Sequence, residues 1–221
     1  MQHGIEPRYP LAEAAKIVGM PTPTLRTWFC GWPTGKPPVL AADGRADAPL
    51  ILSFFNVVEA RFLDAYRRRG VSMQRVRLAL DFVSEHLSGF ERPLLRPDFE
   101  TDGKALFIEL QEASEAPMLL DVTGGGQLVW PDAVQEHFKS LVFDDHGDPS
   151  RLWLDDRHDV MLDPRFGWGL PVVAGSGVRT DVLFERLEAG EGLDAIADDF
   201  SLERSEVETA VAWERAARRA A

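Results

Sequence analysis

Apolar residues in the N-terminal third of the chain recur at the three- and four-residue spacing of amphipathic helices. The pattern predicts a short helix over Leu11 to Val18, a turn at Gly19 and a second helix over Thr22 to Phe29. The Gly- and Pro-rich segment 31–49 then predicts a loop or a short hairpin. A long helix with one apolar face is predicted from about Ser53 to Arg69.

A further helix is predicted to begin at Ser72 and to end before Gly89. Its apolar stripe consists of Met73, Val76, Leu80, Val83 and Leu87. A stripe of this kind either packs within the N-terminal region or forms a seam between two copies of the chain.

Residues 91–165 change to short apolar runs separated by Gly, Asp and Pro, which is typical of a small antiparallel sheet. The segment 131–138 interrupts these runs with one or two helical turns. The C-terminal part is helical again. It predicts one helix capped by Thr180, a second over Leu193 to Phe200 and a third from Glu203 to about Arg218.

Together these elements predict an α+β protein of three regions. Residues 1–90 carry a helix-turn-helix whose following loop acts as a wing. Residues 91–165 form a small, β-rich, antiparallel middle region, and residues 166–221 form a three-helix module.

The composition is that of an ordinary globular protein, and the charged residues are distributed unevenly along the chain. Of 221 residues 45% are hydrophobic, and the single cysteine, Cys30, excludes an internal disulfide framework. The start of the chain does not resemble a signal peptide and the apolar runs are short, so we expect a cytoplasmic protein outside the membrane. The net charge is −12, yet residues 1–90 hold 11 Lys and Arg against 8 Asp and Glu. Such an asymmetry suggests an anion-binding N-terminal region on an acidic body.

The two short N-terminal helices have the layout of a DNA-binding helix-turn-helix. Ala14 and Ala15 are small enough for a second helix to cross closely, and Gly19 allows the tight turn. The second helix then presents hydroxyls and a guanidinium, which can meet phosphates and base edges. The alternative is a helical hairpin that serves only for packing, with Arg26 solvated. We favour the DNA-binding interpretation.

This stretch resembles the N-terminal domain of MerR-type regulators through its string Thr24-Leu25-Arg26-Thr27-Trp28. The resemblance implies that the second helix enters the major groove and that the loop contacts the DNA backbone. The chain departs from the family at Thr27, where an aromatic residue is usual. Its wing, the loop after the second helix, is also longer and richer in proline than the wing of that family. The expected DNA-binding residues are Thr22, Thr24, Arg26, Thr27, Trp28, Lys36 and Arg45.

Helix-turn-helix heads commonly read two half-sites related by two-fold symmetry. We therefore expect a homodimer on double-stranded operator DNA, with the stripe that starts at Met73 as its interface.

The C-terminal region resembles the domain of unknown function 433, a homeodomain-like module found in VapB-type antitoxins. The matching residues are Asp163, Pro164, Phe166, Gly167, Pro171, Val172, Val173, Gly175, Gly177, Val178, Thr180, Ala189, Gly190, Ile196, Ala197, Asp199, Phe200, Val207 and Ala210. With the N-terminal likeness, the whole chain looks like such an antitoxin. The resemblance implies a PIN-type ribonuclease toxin as the partner.

The last predicted helix carries several glutamates, among them Glu203, Glu206, Glu208 and Glu214. Acidic side chains repel phosphates, so this helix is expected to read DNA poorly. Self-association or contact with another protein suits it better. The terminal arginines, Arg215, Arg218 and Arg219, suit either nucleic acid or a helix C-terminus.

The sequence offers no recognisable catalytic or metal-binding constellation. The histidines are scattered without metal-ligand spacing, and the glycine-rich segment 123–127 lacks the Lys-Ser/Thr ending of a phosphate loop. We therefore expect no enzyme activity, no metal and no cofactor.

These observations predict an antitoxin that regulates its own operon. Two alternatives stay open: a MerR-like regulator that senses a small effector in the β-rich middle region, and an interaction scaffold that never binds DNA.

Overall fold

The computed structural model describes residues 2–44, 49–68, 72–74, 76–77, 80–81, 92–95 and 130–221. The chain divides into two compact units, one of Met1–Val57 with Ser150–Ala221 and one of Val58–Pro149. This division runs across the three predicted regions, because it groups the predicted helix-turn-helix with the C-terminal module. Among the described residues, no helix is both long and apolar enough to cross a membrane.

The N-terminal part of the first unit contains the predicted helix pair. Its elements are α1 (Gln2–Ile5), β1 (Tyr9–Pro10), α2 (Leu11–Val18), α3 (Thr22–Cys30), β2 (Ile51–Leu52) and the start of α4 (Phe54–Arg68). Gly19 ends α2 in the left-handed region at φ 80°, and its N–H donates to the Ala15 carbonyl at 2.9 Å. Glycine adopts this conformation without a Cβ clash, so the turn forms where the sequence predicts it.

The C-terminal part of the first unit contains a small sheet and three helices. These are β4 (Pro149–Trp153), β5 (Val160–Leu162), β6 (Val172–Val173), α6 (Thr180–Glu188), α7 (Leu193–Phe200) and α8 (Arg204–Ala220). The strands β4, β5 and β6 pair antiparallel in that order. Apolar residues from strands and helices share the core, for example Leu162, Val173, Leu183, Ile196 and Val207, each of which is fully buried. The three predicted helices are confirmed.

Contrary to the prediction, Thr180 is not the N-cap of its helix. Arg179 occupies the N-cap position of α6, and the Thr180 hydroxyl donates to Glu214 Oε1 at 2.8 Å. A buried carboxylate 34 residues away therefore takes the hydroxyl that would otherwise bond the first turn.

The second unit contains the rest of α4, a 3-10 turn (Pro93–Leu95), α5 (Trp130–Lys139) and β3 (Leu141–Phe143). His137 of α5 is buried, with its ring edge-on to Phe62 and its Nε2 atom 3.2 Å from the Leu94 carbonyl oxygen. Burial lowers the pKa of His137 to about 3, so this imidazole is neutral near neutral pH. The predicted short helix is thus confirmed and begins at Trp130. The predicted strands before it lie outside the described residues.

Helix α4 buries polar residues as well as the apolar face that the sequence predicts. Asn56, Glu59 and Asp64 are also buried. Asp64 accepts hydrogen bonds from Arg67 and Arg68, which satisfy its charge within the helix.

Glu214 of α8 joins three helices of the first unit. Its fully buried carboxylate lies 3.0 Å from Lys16 Nζ on α2 and 3.1 Å from Arg218 Nε on α8. It also accepts the hydrogen bond from Thr180 on α6. One acidic side chain thereby connects the helix-turn-helix to the C-terminal helices.

Replacing this carboxylate should destabilise the first unit strongly. We expect Glu214→Ala to lower the free energy of unfolding by about 3 kcal/mol, the lower end of the range for breaking a buried ion pair. The half-buried Lys16 ammonium keeps only Glu13 at 3.5 Å, and the buried Thr180 hydroxyl loses the carboxylate to which it donates. Urea unfolding followed by circular dichroism measures the difference.

Glu208→Ala is the matched control on the same helix. Glu208 is exposed and pairs with Arg204, so its loss should cost about 0–1 kcal/mol. Equal costs for the two variants would contradict the role given to Glu214.

Candidate nucleic-acid interface

Helix α3 has one face that is buried in the core and one face that is exposed to solvent. Leu25, Trp28 and Phe29 are buried, whereas Pro23 and Arg26 are exposed. The three- and four-residue spacing of the buried residues produces this division. Pro21 occupies the N-cap position and Pro23 lies in the first turn, where the missing N–H costs nothing.

Trp28, one of the expected DNA contacts, is 1% exposed, so its side chain lies in the core and not on the exposed face of α3. It lies three residues after Leu25, on the buried face of α3. Its backbone carbonyl accepts hydrogen bonds from the N–H groups of Val39 and Leu40, at 2.8 and 3.1 Å. Trp28 therefore anchors the loop that follows the helix.

The three threonines at the start of α3 are half-buried. The Thr27 hydroxyl donates to the Thr24 carbonyl at 2.7 Å, and the Thr22 N–H donates to the Ala221 carbonyl at 3.4 Å. Thr22, Thr24 and Thr27 remain predicted DNA contacts.

A closed turn after α3 presents Lys36 to solvent. The Trp32 N–H donates to the Lys36 carbonyl and the Gly35 N–H donates to the Trp32 carbonyl, both at 2.9 Å. A Cβ atom at Gly31 would lie 2.6 Å from the Lys36 carbonyl oxygen, so the close approach requires glycine. The turn holds Lys36 near the C-terminal end of α3.

The loop does not form a hairpin of its own within residues 31–44 and 49–50, the part that the structure describes. Strand β2 pairs instead with β1, in the register Tyr9 with Leu52. Arg45, the second cation expected on the wing, lies outside the described residues.

Asn56 fixes the far end of this loop to the start of α4. Its Oδ1 atom accepts hydrogen bonds from the N–H groups of Asp43 and Ser53, at 3.0 and 3.3 Å. Its Nδ2 atom donates to the Ala41 carbonyl at 2.8 Å. The sequence pattern indicates only that Asn56 lies on a helix, and its contacts in the structure reveal that it orders the loop.

Cations without a carboxylate partner gather around α3. Among the described lysines and arginines of the first unit, ten form ion pairs. The remaining three, Arg26, Lys36 and Arg219, are exposed and have no ion-pair partner among the described residues. Arg26 lies on α3, Lys36 on the loop after it, and Arg219 on the last turn of α8. Unpaired positive charge therefore lies where the helix-turn-helix would meet phosphates.

A second exposed feature is the aromatic knuckle, residues 166–169. Trp168 is 85% and Phe166 45% exposed. Gly167, Trp168 and Gly169 all have positive φ, and tryptophan at φ 60° is strained. A Cβ atom at Gly167 would lie 2.3 Å from the Val172 side chain, so this glycine is needed for close packing.

Two partly buried contacts hold the base of the knuckle. Burial raises the pKa of Asp163, but hydrogen bonds from Arg165 outweigh it and keep that pKa below its usual value. The ionised carboxylate accepts from the Arg165 backbone N–H at 3.0 Å and from its Nη2 at 2.7 Å. The Arg8 Nη1 atom donates to the Pro164 carbonyl at 2.6 Å. The knuckle is thus a rigid aromatic projection.

The described residues contain no cluster of three or more His, Cys, Asp or Glu side chains that could hold a metal ion.

Two family models match the chain. One described as "Putative DNA-binding HTH domain" matches residues 7–80, and one described as "Protein of unknown function (DUF433)" matches residues 160–213. The predicted helix-turn-helix and the predicted resemblance to domain 433 are both confirmed.

Similar proteins occur in Mycobacterium tuberculosis (strain ATCC 25618 / H37Rv). "Putative antitoxin VapB45" is 34% identical over 214 residues, which cover 89% of each chain. "Uncharacterized protein Rv2308" is 24% identical and covers 92% of this chain and 88% of its own. The X-ray crystal structure of Rv2018 from the same species superposes with a TM-score of 0.75 at 32% identity, over 93% of this chain and 98% of that one. The protein therefore belongs to the family of VapB45 and carries a DNA-binding helix-turn-helix domain together with a DUF433 domain.

Proposed function

We propose that this protein is an antitoxin that binds its own operator as a homodimer and neutralises a PIN-type ribonuclease toxin. The observation that carries the DNA-binding part is the position of the unpaired cations. Arg26 lies on the second helix of the helix-turn-helix and Lys36 on the loop after it, and neither has an ion-pair partner among the described residues. Ten of the other eleven described lysines and arginines of the first unit form ion pairs.

DNA binding follows from charge and shape at α3. When a lysine or arginine contacts a DNA phosphate, it displaces a condensed counterion, and the release of that ion favours binding. Only a cation without a carboxylate partner contributes this free energy in full. The exposed face of α3 has the size that a major groove accepts. The ordered loop holds Lys36 beside it, which suits a contact to the DNA backbone.

Arg26→Ala should weaken binding to operator DNA and to unrelated DNA by the same factor. We expect the slope of log K against log salt to fall by about 1, as for one lost phosphate contact. Fluorescence anisotropy over a salt series measures both quantities.

Arg204→Ala is the control, because Arg204 is equally exposed but pairs with Asp194 and Glu208. Its slope should equal that of the wild type. An Arg26→Ala protein that is folded and binds both duplexes like the wild type would contradict the proposed reading helix.

The proposed dimer uses the stripe predicted in the N-terminal region. Val76 is already buried within the single chain, whereas Met73 and Leu80 are half-buried and remain available for a seam. Val83 and Leu87 lie outside the described residues.

Light scattering at micromolar concentration should report about twice the chain mass of 24.6 kDa. Leu80→Asp, which places a charge in the seam, should shift the protein towards the monomer. A monomer across the whole concentration series would contradict the dimer.

Contact with a protein toxin is supported by the relative named as an antitoxin and by the surface of the DUF433 domain. Residues 160–213 contain 11 acidic residues and four arginines. All four arginines are in ion pairs. This surface therefore combines excess negative charge with the aromatic knuckle, which suits a basic protein such as one that handles RNA.

Trp168→Gly should abolish toxin neutralisation and leave DNA binding intact. Glycine accepts φ 60° without strain, so the variant loses the exposed ring and keeps its fold. We expect the adjacent reading frame to encode a small ribonuclease-like protein that arrests growth. Co-expression of the wild-type chain should restore growth, and co-expression of the variant should not.

Operator binding and the unfolding midpoint of the same variant serve as controls, and both should match the wild type. Rescue by the variant would contradict the knuckle as the toxin contact. The absence of a ribonuclease-like neighbour, or its failure to be rescued by the wild type, would contradict the toxin itself.

A further inference from the structure

The C-terminal end of α8 lies against the first turn of α3. The Thr22 N–H at the start of α3 donates to the Ala221 backbone carbonyl at 3.4 Å. The last turn of α8 is therefore beside the N-terminus of the proposed reading helix. Neither family match, 7–80 nor 160–213, includes this turn.

Three arginines lie near this end of α8, and they differ in their partners. Arg215 Nη2 lies 3.7 Å from Glu188, and Arg218 Nε lies 3.1 Å from the buried carboxylate of Glu214. Arg219 is exposed and, within the described part of the chain, has no carboxylate partner.

The helix dipole alone does not explain Arg219. A cation in the last turn of a helix is favoured by the dipole, but this applies equally to Arg218, which nevertheless pairs with Glu214. The chain has 36 acidic residues against 24 basic ones, so carboxylates are in excess. Arg219 nevertheless has no carboxylate partner among the residues that the structure describes, as is true of Arg26 and Lys36, and it lies on the turn that contacts α3.

We propose that Arg219 contacts the DNA phosphate backbone beside the N-terminus of α3. The DNA-binding surface then extends from the helix-turn-helix onto the C-terminal helix, and both ends of the chain contribute to it. The inference rests on the proposed DNA binding and adds a contact outside both family matches. Because phosphates are the same at every site, this contact strengthens binding without selecting a sequence.

The test compares full-length variants on a mixed-sequence duplex and on the DNA upstream of the protein's own reading frame. Arg219→Ala should weaken binding to both duplexes roughly fivefold to tenfold at about 0.1 M salt, and the salt slope should fall by about 1. Arg219→Lys keeps the charge and should retain the wild-type slope.

Arg215→Ala is the matched control, since it removes the same charge from the same helix at a side chain paired with Glu188. Its slope should stay at the wild-type value. Equal losses for Arg215→Ala and Arg219→Ala would show an effect of net charge and overturn the contact. A wild-type slope for Arg219→Ala, together with a reduced slope for Arg26→Ala, would overturn the inference and leave the proposed function standing. A wild-type protein that binds neither duplex would overturn both.

Discussion

The buried carboxylate of Glu214 is the interaction on which the first unit depends. A buried charge is tolerated only when partners compensate for its lost hydration. Here those partners are Lys16, Arg218 and the Thr180 hydroxyl, which come from three different helices. The charge is therefore compensated only when α2, α6 and α8 are all in place. The helix-turn-helix and the DUF433 domain consequently behave as one folded body.

Most of the helices were predictable because glycines mark their ends. Gly19 allows the turn after α2, and Gly192 precedes α7. The short helix α1 has no such signal, and the end of α7 at Ser201, which is left-handed at φ 54°, is visible only in the structure. Thr180 shows the limit of such signals. A threonine before a helix resembles a cap, and only the folded chain reveals the carboxylate that takes its hydroxyl instead.

The candidate site was less predictable, because a count of charges does not show which are paired. In the sequence the glutamates of α8 resemble a single acidic surface, yet Glu214 is buried and forms ion pairs with Lys16 and Arg218. The family string placed Trp28 towards DNA, although its spacing from Leu25 puts it in the core. The sequence does not distinguish Arg26 and Arg219 from the paired arginines, and only the structure shows that neither has a carboxylate partner in the described part of the chain.

The pairing of residues 1–57 with residues 150–221 has a consequence for synthesis on the ribosome. Domains generally fold as they emerge from the ribosome, which synthesises about 5–20 residues per second. Here Lys16 cannot pair with Glu214 until residue 214 has left the exit tunnel. The N-terminal helices of a nascent chain therefore wait many seconds for the carboxylate that connects them to α8, and a product that ends before residue 214 lacks this ion pair.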